Sequence, residues 1–238
     1  MEYVRDLKPM NKLNVLYEDN HIIVVEKPCN ILSQSDSTGD IDMLTLVKKY
    51  IKEKYNKPGN VYAGLVHRLD RPVGGVMVFA KSSKAASRLS EMIKKHNFTK
   101  KYIAIVNGIL NKKEDILTDY LLKTENGNTI VVKDNTGKKS VLKYKVIDEN
   151  RKENLSLIEI ELLTGRHHQI RVQFSSRNHP LYGDQRYGKC DNNQIALWAY
   201  QLEFMHPVKK EMMIFKCFPK QKDGWQLFNI KLLNITCN

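Results

Sequence analysis

The sequence predicts an α+β fold with a central mixed, mainly antiparallel β-sheet flanked by a few helices. Strand-like segments follow one another along the 238 residues, and only a few helical patterns lie between them. Ile158, Ile160 and Leu162 alternate with Glu159 and Glu161, which is the period of a strand that buries one face. Consecutive strands broken by isolated helices argue against a doubly wound fold, in which strands and helices alternate.

Eight short runs of apolar and β-branched residues predict the strands of this sheet. The glycine- and asparagine-rich stretch 125–138 is expected to be a turn or a mobile loop between strands, and not a domain boundary. The predicted strands are 14–17, 22–26, 75–80, 102–106, 128–132, 141–147, 155–163 and 196–204.

Two amphipathic helices and one short helix are expected beside the sheet. Asp42 or Asp40 can cap the first helix, and Ser82 or Ser83 can begin the second. A short helix is expected over 167–176, directly after a glycine. The apolar stripes are Leu44, Val47 and Ile51 in the first helix and Ala85, Leu89, Met92 and Ile93 in the second.

The charge balance favours nucleic acid as the partner. The chain has 39 Lys and Arg against 26 Asp and Glu, a formal net charge of +13. A basic protein of this kind suits phosphate backbones, although most individual lysine pairs are expected to be solvated. No long amphipathic segment with an aromatic and leucine face points to a membrane surface.

The chain is expected to be a cytoplasmic monomer with an N-terminal tail over 1–12 and one catalytic domain over 13–238. Residues 1–14 lack the apolar core of a signal peptide, and no window has the length of a transmembrane helix. The four cysteines form no C-x-x-C pair, so neither a zinc site nor a disulfide framework is indicated. They are Cys29, Cys190, Cys217 and Cys237.

A first motif places a carboxylate between two arginines. Asp70 lies between Arg68 and Arg71 in the segment 67–76, HRLDRPVGGV, which leads into the apolar run 76–80. Burial raises the proton affinity of a carboxylate and guanidinium groups lower it, so Asp70 is a candidate nucleophile or base. Taken alone, the pattern is more often an ordinary ion pair closing a surface turn, since structural ion pairs perturb carboxylates too.

A second motif about a hundred residues later changes that balance. The segment 163–172 reads LTGRHHQIRV. Together the two motifs resemble the active-site signatures of the RluA-type family of RNA pseudouridine synthases, H-R-L-D and T-G-R-x-H-Q-[IL]-R. The resemblance covers roughly 13–220 and includes the further segments 15–19, 22–28, 101–108, 179–184 and 202–207.

The resemblance implies a cofactor-free and metal-free isomerisation of uridine to pseudouridine in ribosomal or transfer RNA, in the cleft of a central mixed sheet. It assigns Asp70 as the catalytic carboxylate, a nucleophile or a proton acceptor. Attack at C1′, attack at C6 and proton abstraction at C2′ stay open. Arg171 would hold Asp70 ionised and oriented through a charge-assisted hydrogen bond, with one or two donors, and Tyr102 would stack on the target base.

RNA contacts are expected from four residues beside the catalytic ones: Arg68, Arg71, Arg166 and His168. The target uridine must leave the RNA stack, and Arg68 could fill or clamp the vacated space. Arg166 and His168 are also expected to order the turn of the second motif. His67 and His167 could contact RNA or satisfy their loops, since lone histidines are usually structural.

Three departures from the family pattern stand out. Pro72 to Gly75 replace the usual x-T-S-G and lose two hydroxyls, and Gln173 and Trp198 stand where histidines are common. The S4 domain of long family members is not expected ahead of the first strand, so recognition would come from the catalytic domain's basic surface. A catalytically silent RNA-binding or RNA-folding factor is the alternative, and an unrelated hydrolase with an aspartate nucleophile ranks last because its partner motifs are missing.

Overall fold

The computed structural model describes residues 13–133, 136–189 and 192–230, in which eleven strands form one sheet. The predicted tail at 1–12 lies outside the described residues. The strands are β1 (Asn14–Glu18), β2 (Ile22–Lys27), β3 (Gly64–Leu65), β4 (Gly74–Ala80), β5 (Phe98–Asn107), β6 (Glu114–Lys123), β7 (Thr129–Val132), β8 (Lys138–Asn150), β9 (Leu155–Leu162), β10 (Leu197–Met205) and β11 (Met212–Lys216). The helices are α1 (Met43–Lys54), α2 (Ser83–Lys94), α3 (Gln169–Ser175) and a short 3₁₀ helix (Trp225–Leu227).

The sheet is mixed and mainly antiparallel, which confirms the predicted fold class. The strand order is β1-β2-β4-β10-β5-β9-β8-β6-β7, with β3 on β4 and β11 on β10. Among the described strands, β4 and β10 are the one parallel pair, at Trp198 with Gly74 and Ala199 with Gly75. Because β10 separates β4 from β5, the loop that leads into β4 and the middle of β5 lie on either side of one central strand.

The first two helices begin at the predicted caps. The Asp42 side chain accepts a hydrogen bond from the Thr45 N–H at 3.0 Å, and the Ser82 side chain accepts one from the Ala85 N–H at 3.2 Å. Each bond satisfies an otherwise unpaired N–H of a helix first turn. Of the two alternatives offered for each cap, Asp42 and Ser82 are therefore the correct ones.

Three strands were not expected, namely β3, β6 and β11. In β6 the two well-buried residues are Leu117 and Leu121. A spacing of four fits a helix stripe as well as one face of a strand, so periodicity alone gives no signal. In β11, Met212 and Ile214 point outward and are 61% and 55% exposed, so burial does not mark that strand either.

The two faces of the sheet bury different sets of residues. Tyr102 and Ala104 of β5 belong to the core cluster that packs with α1 and α3, whereas Ile103 and Ile105 face a second cluster that includes Trp225. A third cluster packs α2 onto β2 and β4. Tyr102 thus lies on the face that carries the second motif. In the described ranges no helix is long and apolar enough to span a bilayer.

Candidate active site

A cleft of about 1110 Å³ brings together three segments that are far apart in the chain. Asp70 comes from the loop between β3 and β4, Tyr102 from β5, and Arg171 from α3, and all three line the cleft. The three residues predicted to be catalytic therefore meet at one place. Asp70 is the most accessible of them, with a side chain 29% exposed.

A buried lysine holds the loop that carries Asp70. The Lys27 ammonium, which has no exposed surface, donates to the carbonyls of Pro28, Arg71 and Val73 at 3.1, 3.0 and 2.7 Å. Burial lowers the pKa of Lys27 to about 7, and the nearby charge of Asp70 opposes that shift. The ammonium uses all three of its donors on backbone carbonyls, two of them in the catalytic loop.

Further hydrogen bonds fix the backbone on both sides of Asp70. The Ser33 hydroxyl donates to the Leu69 carbonyl at 2.7 Å and accepts from the Leu69 N–H at 3.1 Å. The Gln194 side chain donates to the Pro72 carbonyl at 2.7 Å. The Asp70 main chain is thereby held firmly while its carboxylate faces the cleft.

Gly74 and Gly75 follow the loop and let β10 approach it closely. A Cβ on Gly75 would lie 2.2 Å from the Ala199 carbonyl oxygen, and Gly75 has a φ of +131°, a conformation that favours glycine. A Cβ on Gly74 would lie 2.2 Å from the Trp198 ring. Trp198 occupies the space above Gly74, so these two departures from the family pattern are coupled.

Arg171 makes its bidentate hydrogen bonds with Asp184, and its expected contact with Asp70 is a longer ion pair without a hydrogen bond. Its Nε and Nη2 donate to the Asp184 carboxylate at 2.8 and 2.6 Å, whereas its Nη1 lies 3.6 Å from Asp70 Oδ2. Both partners of the close pair are buried. Hydrogen bonds and charge from Asp184 outweigh the burial that opposes them and raise the pKa of Arg171. Asp184 therefore fixes the orientation of the Arg171 guanidinium, whose positive charge faces Asp70 at 3.6 Å.

His168 stands on the other side of the same carboxylate. Its Nε2 lies 3.6 Å from Asp70 Oδ2, and its Nδ1 is 2.7 Å from the Tyr187 hydroxyl. The Tyr187 ring also packs against the Arg171 guanidinium at 5.1 Å. Burial and the Arg171 charge lower the pKa of His168 to about 3, so the imidazole is neutral at pH 7 and adds no charge beside Asp70.

Tyr102 is only 7% exposed, and its side chain projects from β5 of the sheet into the cleft. Burial, together with the charge of Asp70, raises the pKa of Tyr102. The phenol therefore stays protonated and presents a ring and a hydroxyl to whatever enters the cleft.

The residues expected to contact RNA have different surroundings. Arg68 is exposed at the cleft and makes no ion pair or hydrogen bond with any residue the structure describes. Arg71 pairs with Asp40 at 2.7 Å, with both side chains about half exposed. Arg166 donates to the Lys139 carbonyl at 3.2 Å, and this bond, like the left-handed conformation of His168, shapes the turn of the second motif.

The two other histidines and Gln173 have local partners. His67 Nε2 accepts from the Val78 N–H at 3.1 Å, and burial lowers the His67 pKa to about 3, so His67 satisfies its loop. His167 lies 2.9 Å from the Thr129 hydroxyl. Gln173 has no exposed surface and donates to Asp119 at 2.7 Å, so it faces the protein interior and not the cleft.

Sequence reasoning missed the residues that support the catalytic ones. Asp184 and Lys27 lie inside segments that carried the resemblance, but neither was picked out, because a supporting partner is identified only by its distance in the folded chain. Tyr187 and Gln194 gave no signal at all. Within the described ranges, no group of three or more His, Cys, Asp or Glu side chains is placed to hold a metal ion.

Comparison with known proteins identifies the family of the chain. A family model described as RNA pseudouridylate synthase matches residues 21–176. An uncharacterized RNA pseudouridine synthase of Bacillus subtilis is 34% identical over 205 residues, which cover 85% of this chain and 67% of that protein. Ribosomal large subunit pseudouridine synthase C of Buchnera aphidicola is 32% identical over 215 residues, covering 84% and 65%.

The fold is also that of a solved human structure, RNA Pseudouridylate Synthase Domain Containing 4. The two superpose with a TM-score of 0.73 at 20% identity, over 87% of this chain and 89% of that one. At that identity the structural similarity shows the fold alone. The family is shown by the sequence matches. The chain belongs to the RNA pseudouridylate synthase family, which are isomerases that convert uridine in RNA to pseudouridine.

Proposed function

We propose that this protein isomerises specific uridines of ribosomal RNA, with Asp70 as the catalytic carboxylate. The observation that carries the proposal is the convergence of Asp70, Tyr102 and Arg171 on one cleft from three separate segments. Transfer RNA is the other substrate class that the sequence left open. Ribosomal RNA is preferred because two groups of relatives are named ribosomal large subunit pseudouridine synthases C and D.

The reaction rearranges one nucleoside without net oxidation or hydrolysis. The bond from N1 to C1′ breaks, the base rotates, and a new bond joins C5 to C1′. The proton on C5 is released, and N1 takes up a proton, so atoms balance without a co-reactant. The site must supply a carboxylate at the ribose and base, a surface that holds the detached base, and exclusion of water.

Each of the three residues has a part in this chemistry. Asp70 acts as nucleophile or proton acceptor and is accessible from the cleft. Arg171, 3.6 Å away, places a positive charge beside the carboxylate and orients it. The Tyr102 ring holds the base by stacking, and its protonated hydroxyl is available to assist proton movement.

Arg68 is proposed to occupy the space that the flipped uridine leaves. It is two residues from Asp70, is exposed, and has no partner among the described residues, so its side chain is free to move into an RNA stack. Arg166 and Arg186 line the same cleft and extend its positive charge. Together these arginines would attract the phosphates of an RNA strand around the target.

The test is release of tritium from C5-labelled uridine in unmodified rRNA and tRNA transcripts. Wild type is expected to release tritium from rRNA, and Asp70→Asn, which keeps the size of the side chain, is expected to lose activity by at least about a hundredfold. RNA affinity of the variant, measured in parallel, should stay within a few-fold of wild type. Full activity of Asp70→Asn would contradict the proposal. Tritium release from tRNA alone would show that the substrate is tRNA and not rRNA.

A further inference from the structure

Lys100 lies in the cleft and is not used by the chemistry above. It is two residues before Tyr102 in β5, so both side chains project from the same face of the strand. Its ammonium lies against the second motif, since a Cβ built on Gly165 would be 3.1 Å from Lys100 Nζ. Lys100 therefore stands between the base-binding tyrosine and the turn that precedes α3.

No counter-charge accompanies this ammonium. Among the residues that the structure describes, Lys100 has no carboxylate within 4 Å and makes no side-chain hydrogen bond. Burial lowers the pKa of Lys100, with no neighbouring charge offsetting it. Lys27 provides a contrast within the same molecule, because its buried ammonium is matched by three carbonyls.

The surroundings of Lys100 would attract an anion. The neutral His67 lies within electrostatic reach of Lys100, and the cleft that Lys100 lines also holds Arg68, Arg166 and the Asp70 carboxylate, which lies more than 4 Å from the ammonium. A partly buried, unpaired ammonium costs folding free energy, and such groups concentrate at functional sites. The missing negative charge must then be brought by the ligand.

We propose that Lys100 binds a phosphate of the RNA backbone adjoining the target uridine. The inference rests on the proposed function, since it takes RNA as the ligand of this cleft. Side chains two residues apart on a strand are separated by about 7 Å, roughly the span of one extended nucleotide. With the target base on Tyr102, the phosphate linking it to its neighbour is therefore within reach of Lys100.

Lys101 is a matched control for the test. It adjoins Lys100 in β5, projects from the opposite face and does not line the cleft. Its neighbour in the register of β9 is Glu161. Lys100→Met and Lys101→Met remove the same charge and keep similar side-chain length. Both are made in an Asp70→Asn background, so that the RNA is bound without being converted.

The measurement is the affinity for an unmodified large-subunit rRNA transcript as a function of salt. Lys100→Met should reduce the slope of log affinity against log salt by about one, the loss of one phosphate contact, while Lys101→Met changes it by less than half as much. Equal slopes for the two variants, or no detectable RNA binding by the parent protein, would overturn the inference.

Thermal unfolding distinguishes a binding role from a structural one. Since the ammonium is unpaired in the free protein, Lys100→Met should leave the Tm unchanged or raise it, and a clear fall would contradict the inference. The proposed function is tested separately by tritium release from wild type. Release with an unchanged Lys100→Met slope rejects the phosphate subsite alone, whereas a reduced slope without any release rejects the isomerase assignment and keeps the subsite.

Discussion

Asp184 determines where the Arg171 guanidinium points. The carboxylate accepts two hydrogen bonds from Arg171 and also accepts the N–H groups of Arg186 and Tyr187 at 3.0 and 3.2 Å. One planar side chain thus connects α3 to the turn at 184–187 and leaves Nη1 facing Asp70. A lysine could not make the same bidentate contact and reach Asp70 as well.

We expect Asp184→Asn to lower the free energy of unfolding by roughly 3 kcal/mol, because it leaves a buried guanidinium without its counter-charge. Activity should fall even at temperatures where the variant is folded, since Arg171 is released to move. Chemical denaturation and tritium release are the measurements. Glu91→Gln is the control, because its pair with Lys95 is about 60% exposed on both sides and is expected to contribute little to stability. A fully stable, fully active Asp184→Asn would rule out this role.

Gly74 and Trp198, two positions where the sequence differs from the usual family pattern, are in direct contact. A Cβ on Gly74 would clash with the Trp198 ring at 2.2 Å. Gly74→Ser alone is therefore expected to destabilise the protein by about 1–3 kcal/mol through overpacking. Adding Trp198→His should recover a large part of that loss, although the histidine forfeits the Trp198 hydrogen bond to the Cys217 carbonyl at 2.8 Å. Additive losses in a double-mutant cycle would refute the coupling.

At the scale of elements, Glu18 ties three parts of the fold together. This residue at the end of β1 accepts from Lys54 and Tyr55 at the end of α1, at 2.6 and 2.9 Å, and from Lys81 after β4 at 2.5 Å. Its carboxylate is only 5% exposed. Burial works against its charge, but these bonds prevail and lower the pKa of Glu18 to about 2.

This pKa predicts how stability depends on pH. A carboxylate whose pKa falls on folding contributes stability that is complete above its unfolded value, 4.5, and is lost as pH falls through its folded value, about 2. Glu18→Gln should therefore lower the free energy of unfolding by about 2 kcal/mol at pH 7. Urea denaturation at a series of pH values should show this loss becoming smaller as the pH approaches 3. Glu53→Gln, in an exposed pair, should differ little at any pH. A Glu18→Gln loss that does not change with pH would argue against the assigned pKa.

The elements that the sequence predicted well are those with local signals. Asp42 and Ser82 supply caps that depend only on residues three positions on, and the alternation around Ile158 marks β9 without reference to other strands. β6 has no such signal, since its identity comes from pairing with β7 and with β8, whose paired residues lie 17 to 31 positions further along the chain. Strands of this kind are defined by their partners and not by their own residues.

At the scale of the molecule, the same distinction separates the predicted site residues from the missed ones. Asp70, Tyr102 and Arg171 were proposed because short motifs carry them, and the fold brings them to one cleft. Asp184 and Lys27 support them through contacts between residues distant in the chain. The expected Arg171–Asp70 ion pair is present at 3.6 Å, but the bidentate hydrogen bonds of Arg171 go to Asp184. Opposite charge alone does not reveal which of two nearby carboxylates an arginine will bind in this way.

Part of the basic composition lies at the cleft. Four basic side chains that line the cleft with Asp70 are Arg68, Lys100, Arg166 and Arg186. Charge of this kind would draw an RNA strand to the cleft, while the contacts of individual side chains with the flipped nucleotide would select the target.

The most direct test of the account is to map pseudouridines in ribosomal and transfer RNA from cells that lack the protein. Specific rRNA positions should lose the modification, regain it when wild type is supplied, and stay unmodified when Asp70→Asn is supplied at the same level. Restoration by Asp70→Asn, or an rRNA and tRNA map that does not change when the protein is absent, would contradict the account.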